Sequence, residues 1–312
     1  MRHMKAFRKG NSQREFHQSF KSQSAMEYLM TYGWAILIIA VVLGALFELG
    51  VFNPMTFAPK ASPGSCQVVR PEGAGTTNFI SLEGECNGEL PQYVAIFSPN
   101  SIEAQSGYGA SNTYIKINTP FGGGESNYTM TAWVSIPFYN PCSGACGIPI
   151  AYYNPGGGLG LETGGGIGLH RGNGSDTFVP FPALVPNTWY FIAVSIKYPN
   201  YHMYQDSVEE NTSNTGNYMD TNPIYLGAEF FTNGATFSGD ISNVQLYNTP
   251  LSSNDIRTLY QEGIGGAPIK IQNLVGWWPL NGNTNDYSGN GNNGVPNGIT
   301  YTSNWYSGYS AP

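Results

Sequence analysis

Charged residues are scarce in this chain of 312 residues: they make up 11% of the sequence, which also has only four cysteines and four histidines. No catalytic constellation is present, and the histidines beyond Gln23, His170 and His202, lie in no nucleophile or metal motif. Aromatic residues reach 14%, and there are 40 glycines. So many aromatic residues can build a core, which argues against disorder. The scarcity of charge together with the many glycines favours an extracellular all-β protein.

The net charge of −7 conceals an uneven distribution of charge. The first 21 residues contain six of the 13 basic residues and only one acid, Glu15. From Gln23 onward, 7 basic residues face 19 acidic ones, a net of −12. A basic segment ahead of an apolar run is typical of a cytoplasmic flank. The acidic remainder argues against nucleic acid as a partner.

A run of 20 uncharged residues, YLMTYGWAILIIAVVLGALF, occupies residues 28–47. About 20 apolar residues are enough for a helix to span a bilayer. The run is longer than the core of a secretory signal peptide, and no small-residue cleavage site follows it. Asn53 and Pro54 are expected to end the helix, because proline lacks the N–H that a helix needs. An ordinary membrane anchor is one interpretation of this segment.

The residues ahead of this run, Lys-Ser22-Gln23-Ser-Ala-Met-Glu27, resemble the class III signal of archaeal type IV pilins. In that family a prepilin peptidase removes the basic leader before a glutamine, and the fifth residue of the mature chain is glutamate. The resemblance covers residues 21–53 and implies cleavage between Ser22 and Gln23. It departs from the family in having Ser22 where glycine is more usual. A carboxylate in apolar surroundings needs a partner, so we expect Glu27 to pair with the amino terminus of a neighbouring subunit.

The four cysteines form two sequence-local pairs, Cys66 with Cys86 and Cys142 with Cys146. In an exported chain an even count favours two disulfides. Free thiols or a zinc site are the alternatives, but the spacing is poor for zinc and no histidine lies near either pair.

Short alternating or apolar runs, separated by Gly and Asn clusters, predict an antiparallel β-sandwich beyond residue 90. The predicted strands are residues 113–118, 128–138, 148–153, 166–171, 189–197, 202–206, 224–229, 237–248 and 275–280. A helix is predicted over residues 252–262, with Ser252 and Asp255 forming a capping box. The glycine clusters near residues 156–158 and 164–166 are predicted as loops.

Four segments are similar to the laminin-G-like, concanavalin A-like lectin family: YTMTAWVSIPF, NTWYFIAVSIKY, YLGA and FSGDISNVQLYNTPLSSNDIRTLY. The resemblance implies a two-sheet antiparallel jelly roll. The family's usual opening strand comes last here, at residues 274–282 and 285–294. Circular permutation, donation of this strand to a neighbouring subunit or a truncated second repeat would explain the order. Permutation is favoured, because an unpaired apolar strand would promote aggregation.

The predicted organisation is therefore a cleaved leader (residues 1–22), a transmembrane or filament-core helix (23–53), a linker with a disulfide-closed lobe (54–91) and a laminin-G-like head (92–312).

The same resemblance implies a structural calcium ion, with Asp240, Asp286 and Asn290 as candidate ligands, because hard cations prefer carboxylate and amide oxygens. Turns that need no ion are the alternative. Three sequons predict glycosylation at Asn127, Asn173 and Asn211. Aromatic residues in or near predicted loops are candidates for glycan contact: Tyr152, Tyr153, Tyr201, Tyr204, Trp305 and Tyr306.

The sequence thus predicts a non-enzymatic subunit of an extracellular filament, inserted in the cytoplasmic membrane before assembly. Its expected partners are copies of itself or other pilins, a prepilin peptidase and surface glycans. A membrane-anchored lectin-like receptor that does not polymerise is the alternative. A surface glycosidase is the second alternative. No predicted strand carries the alternating acids that glucanases of this fold use, and Glu209 and Glu210 are neighbours in a predicted polar loop.

Overall fold

The computed structural model describes residues 13–48, 65–86, 89–98, 113–118, 127–137, 145–152, 157–162, 167–171, 177–179, 181–182, 184–213, 223–228 and 237–312. The chain divides into two compact units, Met1–Lys60 and Ala61–Pro312.

The first unit contains the helix α1 (Gln13–Glu48), which is 36 residues long. The N-terminal helix predicted from the apolar run is present, and it already begins within the predicted leader. Its expected end at Asn53 and Pro54 lies outside the described residues. The predicted membrane span is not found: among the residues that the structure describes, no helix is both long enough and apolar enough to cross a membrane.

Large apolar side chains of α1 are exposed on all sides of the helix. Eleven of them expose between 49% and 67% of their surface: Tyr28, Met30, Tyr32, Trp34, Ile36, Leu37, Ile38, Ile39, Val41, Val42 and Leu43. Successive residues of a helix are rotated by about 100°, so the four consecutive residues from Ile36 to Ile39 point to every side. A helix that is apolar all round is normally buried in a larger structure.

The second unit is built from antiparallel strands. In the described part of the chain they are β1 (Gln67–Val69), β2 (Ser81–Glu83), β3 (Val94–Phe97), β4 (Tyr114–Ile117), β5 (Asn127–Ser135), β6 (Ala145–Tyr152), β7 (Gly157–Glu162), β8 (Ile167–Arg171), β9 (Thr177–Val179), β10 (Trp189–Lys197), β11 (Asn200–Gln205), β12 (Val208–Ser213), β13 (Ile224–Leu226), β14 (Gly239–Tyr247), β15 (Leu274–Trp278), β16 (Gly294–Asn297) and β17 (Thr300–Thr302).

These strands form two stacked sheets and a small hairpin. One sheet has the order β12-β11-β10-β5-β14-β3-β17, with β15 also paired to β14, and the second has the order β16-β4-β13-β6-β7-β8-β9. β1 and β2 pair separately. The antiparallel sandwich predicted from the alternating pattern is therefore confirmed, and its first sheet is the larger.

The main core lies between the two sheets. Alternate residues of β5 point into it, namely Tyr128, Met130, Ala132 and Val134, and all four are almost completely buried. The second sheet contributes Ile115, Ile117, Ile150, Ile224 and Leu226. This arrangement follows from the two-residue period of a strand, which places alternate side chains on one face.

The opposite face of the larger sheet is also buried. Trp133 of β5, Phe191 of β10 and Tyr247 of β14 lie in a second apolar cluster there. Helix α2 (Ser253–Gln261) covers part of this face through Ile256 and Leu259. The predicted capping box is confirmed: the Ser252 hydroxyl accepts from the backbone of Asp255, whose carboxylate accepts from the backbone of Ser252.

The C-terminal segment completes the sandwich of its own chain. β15 pairs with β14, β16 with β4, and β17 with β3. Pairing within one chain disfavours donation of this strand to a neighbour. Permutation relative to the family stays a prediction.

The lobe at the start of the second unit is closed by the predicted disulfide between Cys66 and Cys86, with an S–S distance of 2.00 Å. The buried Arg70 side chain ties this lobe to the C-terminal segment. Its Nε donates to the carbonyl of Ser288 over 2.9 Å, and its Nη2 donates to those of Ile271 over 2.8 Å and Leu274 over 3.2 Å. Nη1 donates to the carbonyl of Thr76.

Asp240 is a half-buried acid on β14, and no hydrogen bond or ion pair links its carboxyl to another described residue. Because burial disfavours the charged form, the pKa of Asp240 is raised to about 6. The folded state therefore holds this proton at a pH at which the unfolded chain has lost it.

Two predicted loops prove to contain strands. β7 starts at Gly157, inside a glycine cluster predicted as a loop, and Glu209 and Glu210 lie in β12 rather than in a loop. In both cases pairing with a neighbouring strand outweighs weak local propensity. Six further strands among the described residues were not predicted, and each is only three or four residues long: β1, β2, β3, β9, β16 and β17.

Replacing Arg70 with lysine should destabilise the second unit by about 2–4 kcal/mol, because one ammonium cannot reach carbonyls on separate segments. Urea unfolding of the full chain in mild detergent, followed by tryptophan fluorescence, measures this change. Arg257→Lys on the exposed side of α2 is the matched control and should leave the midpoint unchanged. An unchanged midpoint for Arg70→Lys would contradict the proposed role of the guanidinium.

Replacing Asp240 with asparagine should stabilise the protein at pH 7.5 by up to about 3 kcal/mol, since a shift of one pKa unit corresponds to about 1.4 kcal/mol. The stability that the neutral acid contributes is fully present below pH 4 and is lost as the pH rises through 6. At pH 4 the two proteins should therefore be equally stable. Urea unfolding between pH 4 and 8 tests this, with the exposed Glu210→Gln as control. If the unfolding free energies of the original protein and of Asp240→Asn differed by the same amount at every pH, the prediction would be refuted.

Candidate functional site

A cleft opens on the outer face of the larger sheet, where the disulfide-closed lobe meets the C-terminal segment. We call it the lobe cleft. Its polar lining includes Glu85, Glu89, Asn243 and Asn281, and its apolar lining includes Ile264 and Trp277.

The floor of the lobe cleft is fixed by Asn243. β14 has a register irregularity between Ser242 and Gln245, and Asn243 has a positive φ of 47° there. Asparagine tolerates this left-handed conformation better than most residues. The irregularity breaks the alternation of β14 and leaves Asn243 on the outer face, among the lining residues of the cleft.

Asn243 is also the centre of a buried hydrogen-bond network. Its Oδ1 accepts from Nε1 of Trp277 over 2.8 Å and from Nε2 of Gln245 over 3.1 Å, while its Nδ2 donates to the carbonyl of Gly266 over 2.8 Å. Gln245 accepts in turn from the hydroxyl of Tyr247 over 2.7 Å, and burial raises the pKa of that hydroxyl. This network holds Trp277 in a fixed orientation in the cleft wall.

The turn at Gly265 and Gly266 sets the width of the cleft. A β-carbon at Gly265 would lie 1.9 Å from the carbonyl oxygen of Glu89, so only glycine permits this approach. The close packing fixes the backbone of Glu89, whose side chain is exposed, at the edge of the cleft.

The rim beside Asn281 carries an exposed tyrosine. Oδ1 of Asn281 accepts from the backbone of Tyr93 over 2.8 Å. The ring of Tyr93 lies over Gly282, where a β-carbon would be 3.3 Å from the ring. No hydrogen bond engages Nδ2 of Asn281 among the described residues, so this amide can donate to a ligand.

The charge of the lining is one-sided. Glu85 and Glu89 contribute carboxylates, and the residues found to line the cleft include no lysine, arginine or histidine. The apolar lining residues Ile264 and Trp277 expose at most 3% of their surface.

Two of the three candidate calcium ligands are already engaged within their loop. Both carboxylate oxygens of Asp286 accept hydrogen bonds, from the backbone of Trp277, from Ser288 and from the backbone of Asn292, at 2.8–3.0 Å. The amide of Asn290 donates to the carbonyls of Leu274 and Val275 and accepts from Gly75. These bonds fix the loop without an ion, which favours the turn interpretation.

Asp240, the third candidate, lies on β14 and shares no hydrogen bond with that loop. Within the described ranges, no group of three or more His, Cys, Asp or Glu side chains could hold a metal ion.

Three of the six candidate glycan-contacting aromatic residues are buried. Tyr201, Tyr204 and Trp305 are at most 3% exposed, because they pack in the two apolar clusters. Tyr306 is 47% exposed. The side chain of Tyr152 and all of Tyr153 lie outside the described residues.

The sequence placed Glu209 in a polar loop, but in the structure its carboxylate has a partner. Its Oε1 lies 2.8 Å from Nδ1 of His202. Burial alone would raise the pKa of Glu209, but hydrogen bonds with Ser253, His202 and Tyr204 outweigh it and lower that pKa. Burial raises the pKa of Tyr204 to about 12. The cluster joins β11 and β12 to the start of α2.

The remaining predicted residues are only partly described. Asn127 begins β5 and Asn211 lies in β12, and both are exposed, whereas Asn173 and Cys142 lie outside the described residues. Cys146 is in β6, but its side chain is not described. Ser22, Gln23 and Glu27 lie within the helical backbone of α1, and their side chains are likewise outside the description.

Sequence reasoning missed the residues of the lobe cleft. Asn243 is polar at a position of β14 that strict alternation from Ile241 would place in the core, and Gly265 and Gly266 follow α2 as a pair; both were visible signals. Their juxtaposition with Glu85 and Glu89 is visible only in the folded chain.

Comparison with known proteins agrees with this architecture. Residues 109–257 match the family model described as the concanavalin A-like lectin/glucanases superfamily. A search of curated proteins finds no significant match.

Several solved structures are similar to the chain at low sequence identity. A candidate carbohydrate-binding protein from Bacteroides ovatus aligns with a TM-score of 0.52 and 16% identity, over 72% of this chain but only 63% of its own. A SAP-like heptameric pentraxin from Limulus polyphemus gives a TM-score of 0.49 and 12% identity, over 68% of this chain and 95% of its own. A Trypanosoma rangeli sialidase aligns over 46% of this chain and 24% of its own, with 22% identity and a TM-score of 0.36.

At these identities the structural likeness concerns the fold. The match to the family model over residues 109–257, the two antiparallel sheets and the capped helix agree with one another, and together they support a concanavalin A-like sandwich fold for the second unit.

Proposed function

We propose that this protein is a pilin-like subunit of an archaeal extracellular filament, whose lectin-like head binds surface glycans in adhesion. The observation that carries the filament role is the apolar surface of α1, which is exposed on all sides in the single chain. The lectin-type fold of the second unit supports the glycan-binding role.

Copies of the same helix are the partner that fits α1 best. A partner on one side would leave the other apolar faces in water, whereas a bundle of parallel copies surrounds each helix. Burial of apolar surface contributes roughly 25 cal/mol per Å², so a helix with this many exposed large residues has a strong driving force for association. A β-carbon added at Gly33 or Gly44 would meet no other atom within 4 Å, so both positions leave room for close approach of neighbouring helices.

Processing by a prepilin peptidase would prepare α1 for this assembly. Cleavage between Ser22 and Gln23 removes the basic segment and creates a new amino terminus inside the helix. Glu27 then lies about one turn from that terminus, where a carboxylate is favourable because helix N-termini carry partial positive charge. In the filament the same carboxylate pairs with the amino terminus of a neighbour, which sets the register between subunits.

Surface fibres purified from the native source should contain this chain with Gln23 as its first residue, as read by mass spectrometry. Glu27→Ala should reduce incorporation into fibres at least tenfold, because a buried amino terminus would lose its partner. Removal of the leader should continue in this variant. Glu15→Ala is the matched control, since that residue leaves with the leader. Fibres without this chain, together with an intact leader in the cell envelope, would instead support the non-polymerising receptor.

The full chain should bind at least one family of surface glycans on an oligosaccharide array, and the bound oligosaccharides should be recovered at unchanged length. Binding without hydrolysis is expected of a lectin-like head. Shortened products that disappear on changing one acid would support the glycosidase interpretation. Absence of binding to any carbohydrate would refute the adhesive role while leaving the filament role intact.

A further inference from the structure

Two of the three sequons fall on strands of the larger sheet, in opposite structural settings. Asn127 begins β5, which pairs with β10 on one side and with β14 on the other. Asn211 lies in β12, the outermost strand of that sheet, which pairs with β11 alone among the described strands. Both asparagines are exposed, so the two positions differ in the accessibility of the residues that follow them.

The third residue of the first sequon is inaccessible. The motif Asn-x-Ser/Thr requires a hydroxyl at its third position, so a transferase that recognises the motif must contact that hydroxyl. Thr129 is 0% exposed. Its Oγ1 donates to the carbonyl of Thr249 and accepts from the backbone of Leu251, each over 2.9 Å. To free this hydroxyl, the start of β5 would have to leave both of its neighbouring strands.

The second sequon, Asn211-Thr-Ser213, lies on a strand that can be reached at much lower cost. The backbone of β12 is held by one ladder, which runs from Ser213 opposite Asn200 to Val208 opposite Gln205. Detachment of its last three residues therefore breaks bonds to one strand only, and such local opening belongs to the low-energy fluctuations of a fold. The disulfide in the same unit is typical of exported proteins, in which exposed sequons are glycosylation acceptors.

The outer edge of β12 also needs protection against pairing with another chain. An edge strand presents a row of backbone N–H and C=O groups, and proteins commonly blunt it with charged side chains. Of the two acids in β12, Glu209 is already engaged by His202, with Oε1 and Nδ1 2.8 Å apart. The other acid is Glu210, and the same strand exposes 52% of the apolar Val208. A bulky, solubilising group on this edge would complete its protection.

We propose that Asn211 carries an N-linked glycan, attached to the folded head, that shields the edge of the larger sheet from pairing with another copy of this chain, whereas Asn127 stays unmodified. The donor is an oligosaccharide carried on a lipid phosphate. The bond between its anomeric carbon and the phosphate oxygen breaks, and the lipid phosphate leaves with the electron pair. Nδ2 of Asn211 bonds to that carbon and gives up one proton. This modification requires export of the head, and it depends neither on filament assembly nor on the binding of surface glycans.

Glycopeptide mass spectrometry of the full chain from its native source tests the site. Peptides that contain Asn211 should carry the glycan in most chains, and peptides that contain Asn127 should be almost entirely unmodified. An unmodified Asn211 would overturn the proposed site. Equal occupancy at the two positions would overturn the selection that is attributed to burial of Thr129.

Two substitutions at Ser213 test the shielding role. Ser213→Thr keeps the sequon and should keep the glycan, whereas Ser213→Ala destroys the sequon and should lose it. Both full chains are produced in the native source and compared by light scattering in mild detergent, which covers the apolar surface of α1. Ser213→Ala should self-associate at least about tenfold more tightly than Ser213→Thr, since one or two net backbone hydrogen bonds between edges are enough for that difference.

Asn211→Gln provides a second variant without the glycan and should associate as Ser213→Ala does. Asn127→Gln is the matched control and should change neither the glycan mass nor the association; circular dichroism checks that each variant is folded. If both glycan-free variants self-associate no more than Ser213→Thr, the shielding role is refuted. That result leaves the filament and adhesive functions standing, because neither was assigned to β12.

Discussion

The larger sheet of the sandwich must be covered on both faces, and this constraint organises the second unit. Residues of β5, β10 and β14 are apolar on both sides of the sheet, so one sheet-to-sheet core is not enough to bury them. Helix α2, the C-terminal segment and the disulfide-closed lobe provide the second cover. Arg70 joins two of these covering parts by hydrogen bonds to backbone carbonyls, and the lobe cleft lies where they meet.

The burial of apolar surface also acts as the driving force on α1, with a different outcome. In the second unit the chain supplies its own cover, whereas the apolar residues of α1 remain exposed in the single chain. Burial of that surface requires other molecules, and a filament of identical subunits meets the requirement on every side. The proposed function thus assigns assembly to the first unit, whose apolar helix surface is exposed, and glycan recognition to the second unit, whose apolar residues are covered within the chain.

Predictions from the sequence were reliable where local pattern and tertiary context agree. The sandwich, the capping box at Ser252 and the disulfide between Cys66 and Cys86 are all present. The prediction of exposed aromatic residues at Tyr201 and Tyr204 was wrong, because a tyrosine next to a turn does not reveal whether its ring faces core or solvent. The cleft was missed because its residues are far apart in the chain.

The sequence by itself distinguished the apolar run of 20 residues from the strand-rich segment, since the two differ in periodicity and composition. It also determined the antiparallel sandwich and the capped helix, because alternation, turns and caps are encoded locally. Only the tertiary structure decided that the terminal strand β15 pairs with β14 of its own chain, and that Glu89, Asn243 and Asn281 line one cleft. The physical reason is that such contacts depend on chain closure over long sequence separations, and no local pattern specifies which distant segments come together.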